Sequence, residues 1–145
     1  MAVRRPYKKS EASRRQVVEA AIRALAERGF ARTSVNDIAA AAGMSKGAVH
    51  YHFRRKADLI GHVLDRCLAV THERLRRAWD DPGSPTDKIR RALREMRERW
   101  REGGPELRVM ADLMAQGVHD EKLRAPVAEM FKKTRSEIVE HLLGS

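Results

Sequence analysis

The chain has 145 residues, of which 34% are charged and 42% hydrophobic, enough apolar material for a packed core and too much for outright disorder. No apolar run approaches the ~20 residues that span a bilayer and no signal-like segment opens the sequence, so a soluble, cytoplasmic protein is expected. The single cysteine, Cys67, excludes an intrachain disulfide and a multi-cysteine zinc site. The net charge of +10 is concentrated at one end: up to Lys56 there are 13 Lys/Arg against 4 Asp/Glu, and from Ala57 onward 17 against 16. This is the footprint of a polyanion-binding head on an electrically neutral body.

In chain order, residues 1–9 carry Arg4, Arg5, Lys8 and Lys9 around Pro6 and read as a flexible basic arm. Ser10 is a candidate N-cap and Gly29 a candidate stop for a first helix, whose Val18, Ala21, Ile22 and Leu25 share one face. Ser34, with Asp37 three residues on, announces a short second helix that ends at Gly43. Ser45 caps a third helix running to about His52. A long fourth helix, roughly Lys56 to Trp79, places Leu59, Val63, Cys67 and Val70 on one stripe. The break at Pro82-Gly83-Ser84-Pro85 precedes a fifth helix striped by Ile89, Ala92, Leu93, Met96 and Trp100. Gly103-Gly104 ends it, Pro105 suits the first turn of a sixth, and Pro126 starts or kinks a seventh. Strand-like alternation is missing throughout, so the fold class is all-α.

The informative stretch is SVNDIAAAAGMSKGAVHYHFRRK, residues 34–56. Two short helices joined through Ala42-Gly43-Met44-Ser45 have the spacing of a helix-turn-helix, with Gly43 free to take the left-handed corner. The alanine run 39–42 lets the second helix cross the first closely. Ile38, Val49 and Phe53 are the residues that would lock the unit to the first helix. The third helix then presents Lys46, Gly47 and Ala48 in its first turn, where amide N–H groups favour phosphate. His50 suits a base edge, Tyr51 and His52 suit phosphate oxygens, and Lys56 can clamp the backbone.

The pattern T-S-V-x-D-I-A-x-x-A-G-M-S-K-G-A-V-x-Y-H-F-x-x-K-x-x-L resembles the DNA-binding domain of TetR/AcrR-type repressors, from Ser10 to about Leu59. The resemblance implies a three-helix DNA-binding domain over residues 10–56. It also implies a helical body over residues 57–145 that binds a small-molecule inducer and dimerises. By position, Lys46, Gly47 and His50 would face bases. Ala48, Tyr51, His52 and Lys56 would lie on the phosphate backbone, with Ser45 at the start of the reading helix. Val35 and Asn36 would open the helix that crosses the groove. Ala48 is commonly a hydroxyl residue in the family, so that phosphate bond is missing here. Family members run to about nine helices, the last two building the dimer interface. Seven are read here, so the body is expected to be a shortened one and the homodimer is an expectation from resemblance alone.

Val63, Cys67, Leu93, Met96, Trp100, Met110, Met114 and Phe131 form a candidate ligand pocket, although any helical core has this composition. The histidines lack metal-ligand spacing: His50 and His52 fall on different faces, and His62 and His72 are too far apart to share an ion. No metal or cofactor is expected. An enzyme would need a nucleophile beside a base, a phosphate loop or metal ligands, and none is assembled. A nonspecific DNA-coating protein would spread its basic residues over the whole chain, which this one does not do. The best reading is a sequence-specific transcriptional regulator binding a palindromic operator, released by an unknown small effector.

Overall fold

A computed structural model describes the backbone of residues 4–143 and the side chains of residues 10–142. It contains seven helices: α1 Arg4–Arg28, α2 Val35–Ala42, α3 Lys46–His52, α4 Lys56–Asp80, α5 Pro85–Glu102, α6 Pro105–Gly117 and α7 Glu121–Leu143. Among the described residues there is no strand. The first helix begins at Arg4. Ser10 is therefore inside it and not its cap, because the residues before Ser10 continue the helix. Of the expected basic arm, residues 1–3 lie outside the described residues.

Local chemistry accounts for most of the helix ends. The Ser34 hydroxyl accepts from the Asp37 amide (3.2 Å), and an Asp37 carboxylate oxygen accepts from the Ser34 amide (2.8 Å), a reciprocal capping box. Ser84 and Asp87 repeat the device at α5, whose first residue is Pro85. Pro126 lies inside α7 and does not start it. Beyond the first turn a proline forfeits one backbone hydrogen bond. Here α7 continues because Leu123 and Met130, on either side of Pro126, are buried in the core.

Helix α1 carries Val17, Ala21, Ile22 and Leu25 into a core shared with Ile38 of α2 and Val49 of α3. Helix α4 runs from that head into the body, where α5, α6 and α7 surround it. Its Leu59, Ile60, Val63, Leu64, Cys67 and Leu68 are all buried, so one apolar seam joins head to body. Leu113 of α6 and Leu123 of α7 close this seam, each at most 1% exposed.

Two polar contacts cross from head to body, and a third joins the start of α4 to the α1–α2 corner. The Phe30 amide donates to Asp112 of α6 (2.6 Å), the Lys56 ammonium donates to the Thr33 carbonyl (2.6 Å), and Arg66 pairs with Glu19 (2.6 Å). The Arg66–Glu19 pair is half exposed and contributes at most about 1 kcal/mol. The other two tie down the corner between α1 and α2.

Candidate nucleic-acid interface

The corner between α2 and α3 is set by Gly43, which takes φ 66° and ψ 30°. This left-handed conformation costs a residue with a Cβ roughly 1 kcal/mol or more. It lets the Met44 amide reach the Ala39 carbonyl (3.0 Å) and the Gly43 amide reach Ala40 (3.1 Å), closing the end of α2. Gln16 of α1 donates to the last carbonyl of α2, Ala42 (2.7 Å), fixing the crossing of the two helices. The Ser45 hydroxyl then accepts from the Ala48 amide (3.1 Å) and starts α3.

Helix α3 is held by its inner face and free on its outer one. Val49 is 1% exposed and Phe53, just past the helix, 3%. Arg14 lies over the Phe53 ring at 5.2 Å, and His62 meets the same ring edge-on at 5.2 Å. The Arg14 guanidinium also contacts the His62 ring nitrogen at 2.7 Å. Burial and the nearby Arg14 charge both push the His62 pKa down, which keeps the ring neutral against that guanidinium. On the outer face Ser45, Lys46, Gly47, His50 and Tyr51 are exposed, Tyr51 by 80%, while Ala48 and His52 are half-buried. Tyr51 stacks edge-on to His52 at 5.3 Å, which limits where the phenol can swing. Asn36 is exposed at the start of α2 beside the half-buried Val35.

Lys56, expected on the phosphate backbone, is engaged within the protein. Its ammonium donates to the carbonyls of Phe30 (3.3 Å) and Thr33 (2.6 Å) and sits 4.0 Å from the Phe30 ring centroid. Burial pulls its pKa down, so the group is already partly withdrawn from water. These contacts were not legible in the sequence, because the acceptors lie more than twenty residues away in the chain.

The candidate pocket residues are brought together only in part. Leu93, Met96 and Met110 line one apolar cavity of about 400 Å³ between α4, α5, α6 and α7. Val63 and Cys67 are instead fully buried in the core, Met114 packs against that core, and Trp100 and Phe131 are 67% and 56% exposed. Thr71, His72, Leu75, Trp79, Thr134 and Glu137 are among the other residues of the cavity wall and were not anticipated. Glu137 is paired with His72 at its rim. Burial pushes the Cys67 thiol up to about 12, which removes the thiolate that redox sensing requires. A thiol reagent is accordingly expected to leave Cys67 unmodified in the native protein and to label it rapidly in denaturant. Fast native labelling would contradict the burial.

No described helix is long and apolar enough to cross a membrane. Among the described residues, no group of three or more His, Cys, Asp or Glu side chains could hold a metal ion. A trihelical head with an exposed, capped reading helix, set on a helical body, defines a helix-turn-helix protein.

Comparison with known proteins gives the family of the head. Residues 17–63 match the model described as bacterial regulatory proteins, tetR family. The transcriptional regulator TtgR of Pseudomonas putida is 42% identical over 93 residues, covering 63% of this chain and 44% of TtgR. The transcriptional repressor KstR2 of Mycolicibacterium smegmatis is 34% identical over 79 residues, covering 54% of this chain and 38% of its own. A TetR-family regulator from Rhodococcus sp. superposes with a TM-score of 0.76 at 27% identity, over 91% of this chain and 70% of that one. Residues 17–63 carry a DNA-binding segment of the tetR family of bacterial regulatory proteins, and the chain as a whole shares the fold of TetR-family regulators. Its matched segment spans under half the length of the curated relatives.

Proposed function

We propose that this protein is a sequence-specific repressor that binds a palindromic operator as a homodimer and is released by a small apolar effector. The observation that carries the reading is the asymmetry of α3: Val49 is buried beneath it, while Lys46, Gly47, His50 and Tyr51 face solvent. Gly47 keeps the leading turn slim enough to approach base edges, and Lys46 and His50 supply hydrogen-bonding groups. Tyr51, Ser45 and His52 serve the phosphates: Ser45 still has its hydroxyl proton to donate, since its oxygen is the capping acceptor. Ala48 adds only packing, and Val35 and Asn36 meet the backbone from the start of α2. Lys56 acts indirectly, by holding the α1–α2 corner.

The cavity in the body is of the size that takes small molecules, and the Asp112–Phe30 bond gives its α6 wall a mechanical link to the head. An effector that binds one arrangement of α6 better than another would bias the position of the reading helix. The DNA test is a selection from random duplexes, followed by fluorescence anisotropy and solution mass by light scattering. Expected is a dimer on one palindrome with half-sites about one helical turn (~34 Å) apart or a multiple of it. Tyr51→Ala is expected to weaken all sequences about equally, because phosphate contacts carry no base information. His50→Ala should instead change the preferred sequence. Equal losses without a change of preference would sink this division of roles.

A further inference from the structure

Arg99 of α5 is 7% exposed, and its Nε and Nη2 are buried without a hydrogen-bond partner. A guanidinium is always charged and carries five donors, so withdrawing it from water unpaired is among the costlier things a helical core can do. Arg99 does not itself line the apolar cavity of the body, but it follows on α5 directly after residues that do. Met96 and Ala92, one and two turns before it on α5, both line that cavity. Helical side chains lean toward the N-terminus of their helix, which for Arg99 is the direction of Met96. The antiparallel register of α4 and α5 agrees: Arg74 pairs with Glu95 (3.1 Å) and Glu102 (2.7 Å), and Arg91 donates to the Ala78 carbonyl (3.0 Å). This pairing sets Arg99 about level with Thr71 and His72, both of which line the cavity.

Resting on the reading of this cavity as the effector site, we infer that the effector is an apolar organic anion, its tail against α5 and its carboxylate or similar group on Arg99. The tail has an unfilled place. Ile89, Leu93 and Met96, which border the cavity, are 43%, 60% and 52% exposed, and a bound chain would cover them. The acidic group at the rim does not compete as the charge anchor, because Glu137 already holds His72. An anion on Arg99 instead supplies the partner that its buried Nε and Nη2 lack, and a planar carboxylate fits the guanidinium fork in two parallel bonds.

The test is calorimetry of the full chain with octanoate, octanol and octylammonium, which share one tail and differ in charge. Octanoate is expected to bind roughly tenfold or more tighter than either of the others, as charge-assisted hydrogen bonds require. Arg99→Met should erase that preference while leaving octanol binding in place, and Arg99→Lys should keep part of it. Thr71→Trp, which fills the cavity, should abolish all three. Equal binding of the three probes, abolished by Thr71→Trp, would leave the cavity reading standing and overturn the anion. Binding that survives Thr71→Trp, or none at all, would overturn the cavity reading and the anion with it. A concentration-dependent dimer broken by Leu93→Glu, with no probe taken up, would assign the exposed α5 face to a second copy and likewise overturn the proposal.

Discussion

Phe53→Ala is expected to destabilise the protein by about 3–5 kcal/mol and to abolish operator binding, although the side chain touches no DNA. Phe53 is 3% exposed and ends α3, where its amide still bonds the Val49 carbonyl (2.9 Å). Its ring carries the Arg14 guanidinium on one side and the His62 ring on another, both at 5.2 Å. Removing it opens a cavity where α1, α3 and α4 meet and strips Arg14 of its cation–π contact. The reading helix would then lose the anchor that sets its distance from α1. Urea unfolding followed by circular dichroism measures the stability, and anisotropy on an operator duplex measures the binding. A variant within about 1 kcal/mol of the parent, with binding intact, would mean that α3 is held elsewhere. Phe53→Leu should recover much of both, since a branched aliphatic refills most of the volume.

Asp112→Ala is expected to cost about 1–3 kcal/mol and, more tellingly, to weaken the effect of any effector on DNA affinity. The carboxylate accepts from the Phe30 amide at 2.6 Å, and Gly29 beside it turns with φ 78°. A Cβ at Gly29 would sit 3.5 Å from the same carboxylate oxygen, so α6 meets the α1–α2 corner at close range. Without Asp112 a partly buried amide is orphaned, and the corner loses this tie to α6. Operator affinity without effector should change little, because α3 keeps its packing. The ratio of affinities with and without effector should shrink. Asp112→Asn retains an acceptor and should restore most of the coupling. An unchanged ratio in the alanine variant would remove α6 from the path between cavity and head.

These two residues differ in how far the sequence announces them. Phe53 stands within the motif, one turn beyond Val49, and its burial follows from helical spacing. Nothing near Asp112 in the chain marks it, because its partner lies at Phe30. The same contrast holds for lysines: Lys46 is exposed at the start of α3, as its position in the motif implies, whereas Lys56 is turned inward by two carbonyls of the α1–α2 corner.

By itself the sequence determined the all-α class, the places of the breaks, and the helix-turn-helix, since each rests on interactions within a few residues. Ser34 meets Asp37 three positions away, Gly43 takes its left-handed turn alone, and apolar residues three or four apart share a helix face. Only the tertiary structure decided which of those faces meet. It sent Cys67 and Val63 to the core and Leu93, Met96 and Met110 to the cavity, left Trp100 and Phe131 largely in solvent, and buried Arg99 without a partner. The physical reason is that periodicity gives the direction of a side chain from its own helix, while burial depends on what a distant helix places opposite. For charged side chains the difference is largest, because one carbonyl or carboxylate brought close by the fold decides whether the charge faces water, DNA or the interior.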